Sequence, residues 1–425
     1  MEISQTANSK LFGALDNSLS IPGAKLSKDG SFLKLCTFIP DNEFFSLKDN
    51  LSKLLRVFVL FYVMLVLRPW NFFLYVLKYE QLHRGHVRGT LCTSLFFPLY
   101  PGFIVFLQLW KNITNVLGVA DRGASDFDSS IFFIPPKGIM SSLIWEAYNE
   151  LARLVGMFLA IGYEPTGIQH IFRNTITVKG FWRNFLKDCG ANVPLEIGNW
   201  NGQEVVWKHP YIDEDVFIKL PNSHFGIGDA ALKHGKDVYT IKDIETYMGK
   251  HYLNKQDVLI LQWVKPANHL ELHTFDILTI GFSNQKDSNG EPNVQAVSIL
   301  YWGSCADGKS SHSAMSGYIC DPDEEKIVGK ASWYAPYFCE MKADPEMLNH
   351  SPFLGLRKSV DIAIQAHRKI LKTQPWLTCI GWDMEITEAG PVFFEGNLAA
   401  ARLPRRIFLS WKHMLKAFQI FYINR

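Results

Sequence analysis

The sequence predicts a mixed body of strands and helices, α+β or α/β, from Asp213 towards the C-terminus, behind an apolar helical region nearer the N-terminus. Three observations carry this. Short apolar runs recur at 216–218, 258–261, 277–280, 296–301 and 392–394, each of strand length. Stretches with helical spacing lie between them, 359–373 being the clearest, and a chain that mixes the two builds a layered body of sheets and helices. Apolar and aromatic residues are concentrated between Leu54 and Trp110.

Taken in order, residues 1–50 are mixed and polar with no early apolar run, so no signal peptide is expected. Residues 51–120 hold the apolar excess. From 57 to 77 only Arg68, Pro69 and Asn71 interrupt it, and 89–110 carries no charge but contains Pro98, Pro101 and Gly102. A spanning helix needs about 20 apolar residues, and both stretches are broken near that length. The connection between them is basic, with Lys78, Arg84 and Arg88. Two readings stay open: an interfacial or re-entrant element that contacts a membrane surface through 54–110 with its aromatic rings at headgroup level, or a buried helical pair capping the main body. Residues 121–175 read as a linker rich in Asp, Ser and Gly that passes Pro135-Pro136 into a helix over 141–161.

Composition narrows the function. A chain of 425 residues suits two or three domains. The 43 Lys and Arg nearly balance the 41 Asp and Glu without forming a basic block, which argues against a nucleic-acid partner. With 48% apolar and 14% aromatic residues the chain is not a disordered one. Seven scattered cysteines form neither a disulfide framework nor a Cys-x-x-Cys site, so an intracellular, reducing location is expected.

Three stretches could carry chemistry. Gly381-Trp-Asp-Met-Glu-Ile-Thr-Glu-Ala-Gly-Pro-Val-Phe-Phe-Glu-Gly-Asn397 reads as a hairpin turning at Glu388-Ala-Gly-Pro391. Across the turn Asp383 comes near Glu395 and Asn397, which share a strand face because they are two apart. Two carboxylates and an amide oxygen make an all-oxygen set suited to Mg²⁺. The second stretch, Asp215-Val-Phe-Ile-Lys-Leu-Pro-Asn-Ser-His-Phe-Gly-Ile-Gly-Asp229, ends a strand at Lys219 and runs into a loop with Gly226 and Gly228. A strand-end lysine offers a point charge to phosphate, and glycines let backbone amides approach phosphate oxygens. The third, Val258-Leu-Ile-Leu-Gln-Trp-Val-Lys-Pro266, is an apolar strand running into a polar hinge that could present its backbone to an adenine edge.

In this order the stretches resemble the ATP-grasp superfamily, and most closely its sugar-transfer associated branch, whose metal-binding hairpin is similar to 380–397 almost residue for residue. The resemblance spans about 140–415. It implies an α+β fold in which two α+β lobes clamp ATP, with 176–265 as the first, nucleotide lobe and 266–425 as the second. It implies that Lys219 contacts the phosphates under the Gly226 and Gly228 loop, that Lys179 is an earlier nucleotide lysine, and that Gln262 to Lys265, Val264 included, form the adenine hinge. Asp383, Glu395 and Asn397 would hold two Mg²⁺ ions. The implied activity is that of an ADP-forming ligase joining a small-molecule carboxylate to an amine through an acylphosphate, working on the cytosolic side. The family's usual arginine on the strand after the hinge is missing, since Asp276 or Leu278 stands there. Arg402 and Arg405, with Arg406, are the cations near enough in sequence to replace it. A degenerate module that binds nucleotide at a membrane surface is the alternative.

Overall fold

The computed structural model describes residues 24–26, 33–35, 47–84, 86–116, seven positions between 144 and 158, and 179–211, 214–220, 229–267, 274–302, 316–332, 352–375, 377 and 379–397. Over these residues the fold is α+β, with two larger antiparallel sheets, a two-stranded antiparallel pair of β1 (Ala24–Leu26) and β2 (Leu33–Leu35), and a helical bundle.

The bundle starts with α1 (Leu47–Leu67), α2 (Pro69–Arg84), α3 (His86–Phe96) and, after a short turn of 3-10 helix, α4 (Tyr100–Val116). Pro69 has no N–H to give and opens α2 at its first position, and the chain bends there by 119°. A methyl on Gly89 would lie 2.5 Å from the backbone of Glu80 and Gln81, so only glycine lets α3 cross α2 this closely. The core is aromatic: the Phe61 ring lies 4.8 Å from Phe72 and 6.1 Å from Tyr100. The buried Glu80 carboxylate accepts the Tyr100 hydroxyl at 2.5 Å. Phe158, one of the helical positions between 144 and 158, sits 4.7 Å from Phe72 and 5.4 Å from Tyr75, so it packs on α2. The sequence separates 51–120 from 121–175; the structure joins parts of both in one core. His86–Leu107 is by length and composition able to cross a membrane.

The smaller sheet has the order β4-β3-β7-β5-β6. Its strands are β3 (Glu196–Trp200), β4 (Val205–Trp207), β5 (Val216–Lys219), β6 (Ala230–Leu232) and β7 (Val258–Gln262). One face buries Val216, Ile218, Val258 and Ile260 against Ile244 and Met248 of α6 (Ile241–His251). Thr240 and Asp243 close the start of α6 in a reciprocal capping box, satisfying two amides that the first turn leaves open.

The larger sheet has the order β11-β10-β9-β8-β12-β13, with β8 (Thr274–Lys286), β9 (Pro292–Trp302), β10 (Ser316–Asp321), β11 (Lys326–Ser332), β12 (Cys379–Thr387) and β13 (Gly390–Asn397). Its core face packs on α7 (Leu356–Thr373), which buries Val360, Ala363, Ile364 and Ile370 along one side. Helix α5 (Lys179–Asp188) also belongs to this core through Trp182 and Leu186. Arg183 of α5 also pairs with Glu196 of β3 at 2.7 Å, so the helix that packs on the larger sheet is tied to the smaller one as well. After β7 the chain crosses to the larger sheet, where the Ala267 amide donates to the Ile386 carbonyl at 3.0 Å.

Candidate functional site

Strand alternation decides which side chains meet. In β5, Val216 and Ile218 point into the small-lobe core, so Phe217 and Lys219 face the other way. In β12, Ile380, Trp382, Met384 and Ile386 point towards α7, which leaves Gly381, Asp383 and Glu385 on the opposite face.

The partner strand needs one more device. Met384 stands opposite Phe393 and Asp383 opposite Glu395, so Phe394 is an extra residue in a β-bulge. Without it Phe393 and Glu395, two apart, would share a face. The bulge lets Phe393 stay in the core while Glu395 joins Asp383 on the open face. Gly396 then faces inward beneath Trp182, and Asn397 faces outward opposite Gly381.

The result is a polar cluster built from both lobes. The Lys219 ammonium lies 2.8 Å from a Glu395 carboxylate oxygen, with each side chain about 13–14% exposed. Asn397 donates its side-chain N–H to Asp383 at 3.0 Å. Asp229 accepts the Leu220 amide at 2.9 Å beside the lysine. Burial works against the charge on Lys219, but Glu395, Asp229 and Asp383 outweigh it and hold its pKa above the ordinary value. Lys219 is therefore a firm cation at neutral pH.

The donor set suits a hard cation: two carboxylates and an amide oxygen, with one ammonium already neutralising Glu395. Among the described residues no three His, Cys, Asp or Glu side chains converge into a ready-made cage. Mg²⁺ does not require one, because it takes one or two carboxylates and fills its shell with water and substrate phosphate.

Of the other residues named from sequence, Gln262 ends β7; its amide donates to Leu195 at 2.8 Å and its side chain donates to Glu214. Trp263 donates its amide to Asp215 at 3.0 Å, and half-buried Val264 comes next in the crossing segment. Lys179 is the first residue of α5. Gly226, Gly228, Arg402, Arg405 and Arg406 lie outside the described residues. Sequence reasoning undervalues Asp276. It stands in register with Asp383 on β8, while Leu278 stands opposite Gly381, so the row Asp276–Asp383–Glu395 crosses three neighbouring strands. Glu385, buried on the same face of β12 as Asp383, is also missed; an acid between apolar Met384 and Ile386 is its signal.

No family model matches this sequence, and no curated protein matches it. Among solved structures, a D-alanine–D-alanine ligase from Bacillus anthracis in complex with ATP is similar at 10% identity and a TM-score of 0.32, over 58% of this chain and 66% of that one. D-cycloserine synthetase is similar at 11% identity and a TM-score of 0.34, over 64% of this chain and 78% of its own. A biotin carboxylase from Campylobacter jejuni is similar at 12% identity and a TM-score of 0.32, over 56% of this chain. This chain spans just under two thirds of the first of these and less than half, 46%, of the third. Likenesses this weak establish no family membership.

Proposed function

We propose that this chain is an ATP- and Mg²⁺-dependent ligase of ATP-grasp type, which activates a small-molecule carboxylate and joins it to an amine, releasing ADP and phosphate. The observation that carries the reading is the contact between Lys219 and Glu395 across the two sheets, beside the Asp383–Asn397 pair. One lobe brings a phosphate-type cation, the other a magnesium-type oxygen set, and they meet. The resemblance of 380–397 to the ATP-grasp metal hairpin supports the same reading.

In this reaction a substrate carboxylate oxygen attacks the γ-phosphorus of ATP, the bond to the β–γ bridging oxygen breaks, and ADP leaves. The amine then attacks the acylphosphate carbon, and phosphate leaves with the acyl oxygen while the nitrogen loses a proton. Such transfer asks for positioning and charge neutralisation more than covalent catalysis. Lys219 exchanges Glu395 for a phosphate oxygen. Asp383, Glu395 and Asn397 would then hold Mg²⁺, which neutralises phosphate charge when bound. Gln262 to Lys265 border the adenine, and Lys179, the Gly226 and Gly228 loop, Arg402 and Arg405 complete the phosphate and acceptor contacts. ATP use sets the protein's working side as cytosolic.

The test is ADP release in Mg-ATP with pooled carboxylates and amines, run beside ATP binding by calorimetry. Substrate-stimulated ADP release that needs both pools supports the ligase. Tight ATP binding with no release across a broad pool supports instead a nucleotide-binding module, the reading that the missing arginine and the acid at Asp276 favour.

A further inference from the structure

Helix α1 is apolar on both sides. Val57, Phe61 and Met64 face the bundle core, yet Leu51, Leu55, Val59, Tyr62 and Val66, spaced by four, four, three and four, form an exposed stripe on its other side. A helix that is apolar all round belongs in an apolar surrounding on every side, and here one side has it. The stripe is not alone. Val87, Leu91 and Leu95 repeat every fourth residue along α3 and are likewise exposed, as are Phe106 and Trp110 on α4. At the elbow between α1 and α2, Val66 is 78% and Trp70 68% exposed. Tyr62 donates its hydroxyl to the Pro98 carbonyl at 3.1 Å, which joins the α1 stripe to the turn between α3 and α4. These are rows at helical spacing, not scattered apolar residues.

Charge selects what covers them. Residues 47–116 contain eight Lys and Arg but only Asp49 and Glu80 as acids, a formal +6 within a chain whose total is +2. The rest of the protein is therefore acidic. Glu80 is also buried against Tyr100, away from the surface. A second copy of this face would set like charges together, which is unfavourable. A bilayer with anionic headgroups accepts both the apolar stripes and the basic flanks. The 119° elbow turns α2 back from α1, and Phe158 packs against Phe72 and Tyr75 of α2.

We propose that α1–α4 form a monotopic anchor that seats this face in one leaflet of an anionic membrane, with Trp70 and Trp110 at the interface. The proposal is independent of the nucleotide reading. Full-length protein is mixed with preformed vesicles of phosphatidylcholine, with or without about 30% phosphatidylglycerol, and bound protein is read by flotation. The expected result is binding to the anionic vesicles, weakened at least tenfold in Leu55→Glu/Val59→Glu/Leu91→Glu. A milder variant, Arg68→Gln/Arg88→Gln, should bind several-fold less at about 0.1 M salt. Lipids brominated near the headgroup should quench tryptophan more than lipids brominated near the chain end. Mg-ATP should shift the melting of the protein and its variants equally. Failure of the folded protein to float would overturn the proposal. So would triple-variant binding equal to that of the parent, deeper quenching from the chain-end bromines, or a dimer that the triple variant dissociates without any lipid binding.

Discussion

Replacing Gly396 with alanine tests whether the packing beneath β13 sets the candidate site. A methyl there would fall 2.7, 2.8 and 2.9 Å from three atoms of the Trp182 indole, against an optimal carbon–carbon distance of about 3.5–4.0 Å. Trp182 cannot yield: it is buried, edge-to-face with Trp382 at 5.5 Å and with Phe181 at 5.3 Å. The strand must move instead, by about 1 Å to restore ordinary contact. Overpacking a filled core costs about 1–3 kcal/mol, visible as a lower urea midpoint. The strand that moves carries Glu395 and Asn397 on either side of the new methyl. A 1 Å misplacement can cost roughly a hundredfold, so ADP release and the melting shift given by Mg-ATP should fall together. Gly390→Ala is the control. It meets open space but holds φ at 106°, so it should cost about 1–2 kcal/mol of backbone strain and leave Mg-ATP binding intact. Trp182→Phe should partly restore binding when combined with Gly396→Ala, because the smaller ring makes room. A Gly396→Ala protein with parental stability and Mg-ATP binding would refute the argument.

Lys219→Met should lower ADP release by about a hundredfold or more with circular dichroism unchanged; a change within twofold would remove Lys219 from the phosphate site. Burial of His367, against a weaker opposing contact with the Leu377 carbonyl, depresses its pKa from 6.5 to about 4. The unfolded chain then binds a proton that the fold refuses, so stability declines as pH falls from 6.5 to about 4 and levels off below. The full loss is about 3 kcal/mol at 1.36 kcal/mol per pKa unit. Urea midpoints compared between the parent and His367→Gln across that range isolate it, and parallel curves would contradict it. Glu385 shifts the opposite way, since burial raises its pKa well above 4.5 despite the Ile386 amide that it accepts. Its fold retains a proton that the unfolded chain releases above 4.5, so it lowers stability as pH rises. Glu385→Gln should therefore gain stability over the parent between pH 5 and pH 8, and a constant difference would refute this.

The part of the fold that is legible in the sequence is the part set by local interactions. The hairpin turn at Glu388 to Pro391 and the pairing of Asp383 with Glu395 are local, and residue types alone carry them. The bulge at Phe394 is not legible. Simple alternation would set Phe393 and Glu395 on one face, and only the filled core behind β12 shows that they must part. The β3–β4 hairpin is readable though unread: Asn201-Gly202, with Gly202 at φ 100°, is a strong turn signal between short apolar strands. β10 and β11, which contain Gly317 and Gly329, carry no such apolar run.

The rest depends on contacts between distant segments. A lysine at a strand end is visible in sequence, but that its counter-ion is Glu395 depends on how two lobes close, which no local pattern encodes. The same holds for α5. Its apolar side is plain, yet which sheet it covers is decided by the space above Gly396, a vacancy that only the absence of a side chain on β13 creates. The apolar front end shows the limit most clearly. Composition alone allows a buried helical pair or a membrane element, since both demand the same residues. The difference lies in whether the second face of α1 finds a partner inside the chain; among the described residues Leu55, Val59 and Val66 stay exposed.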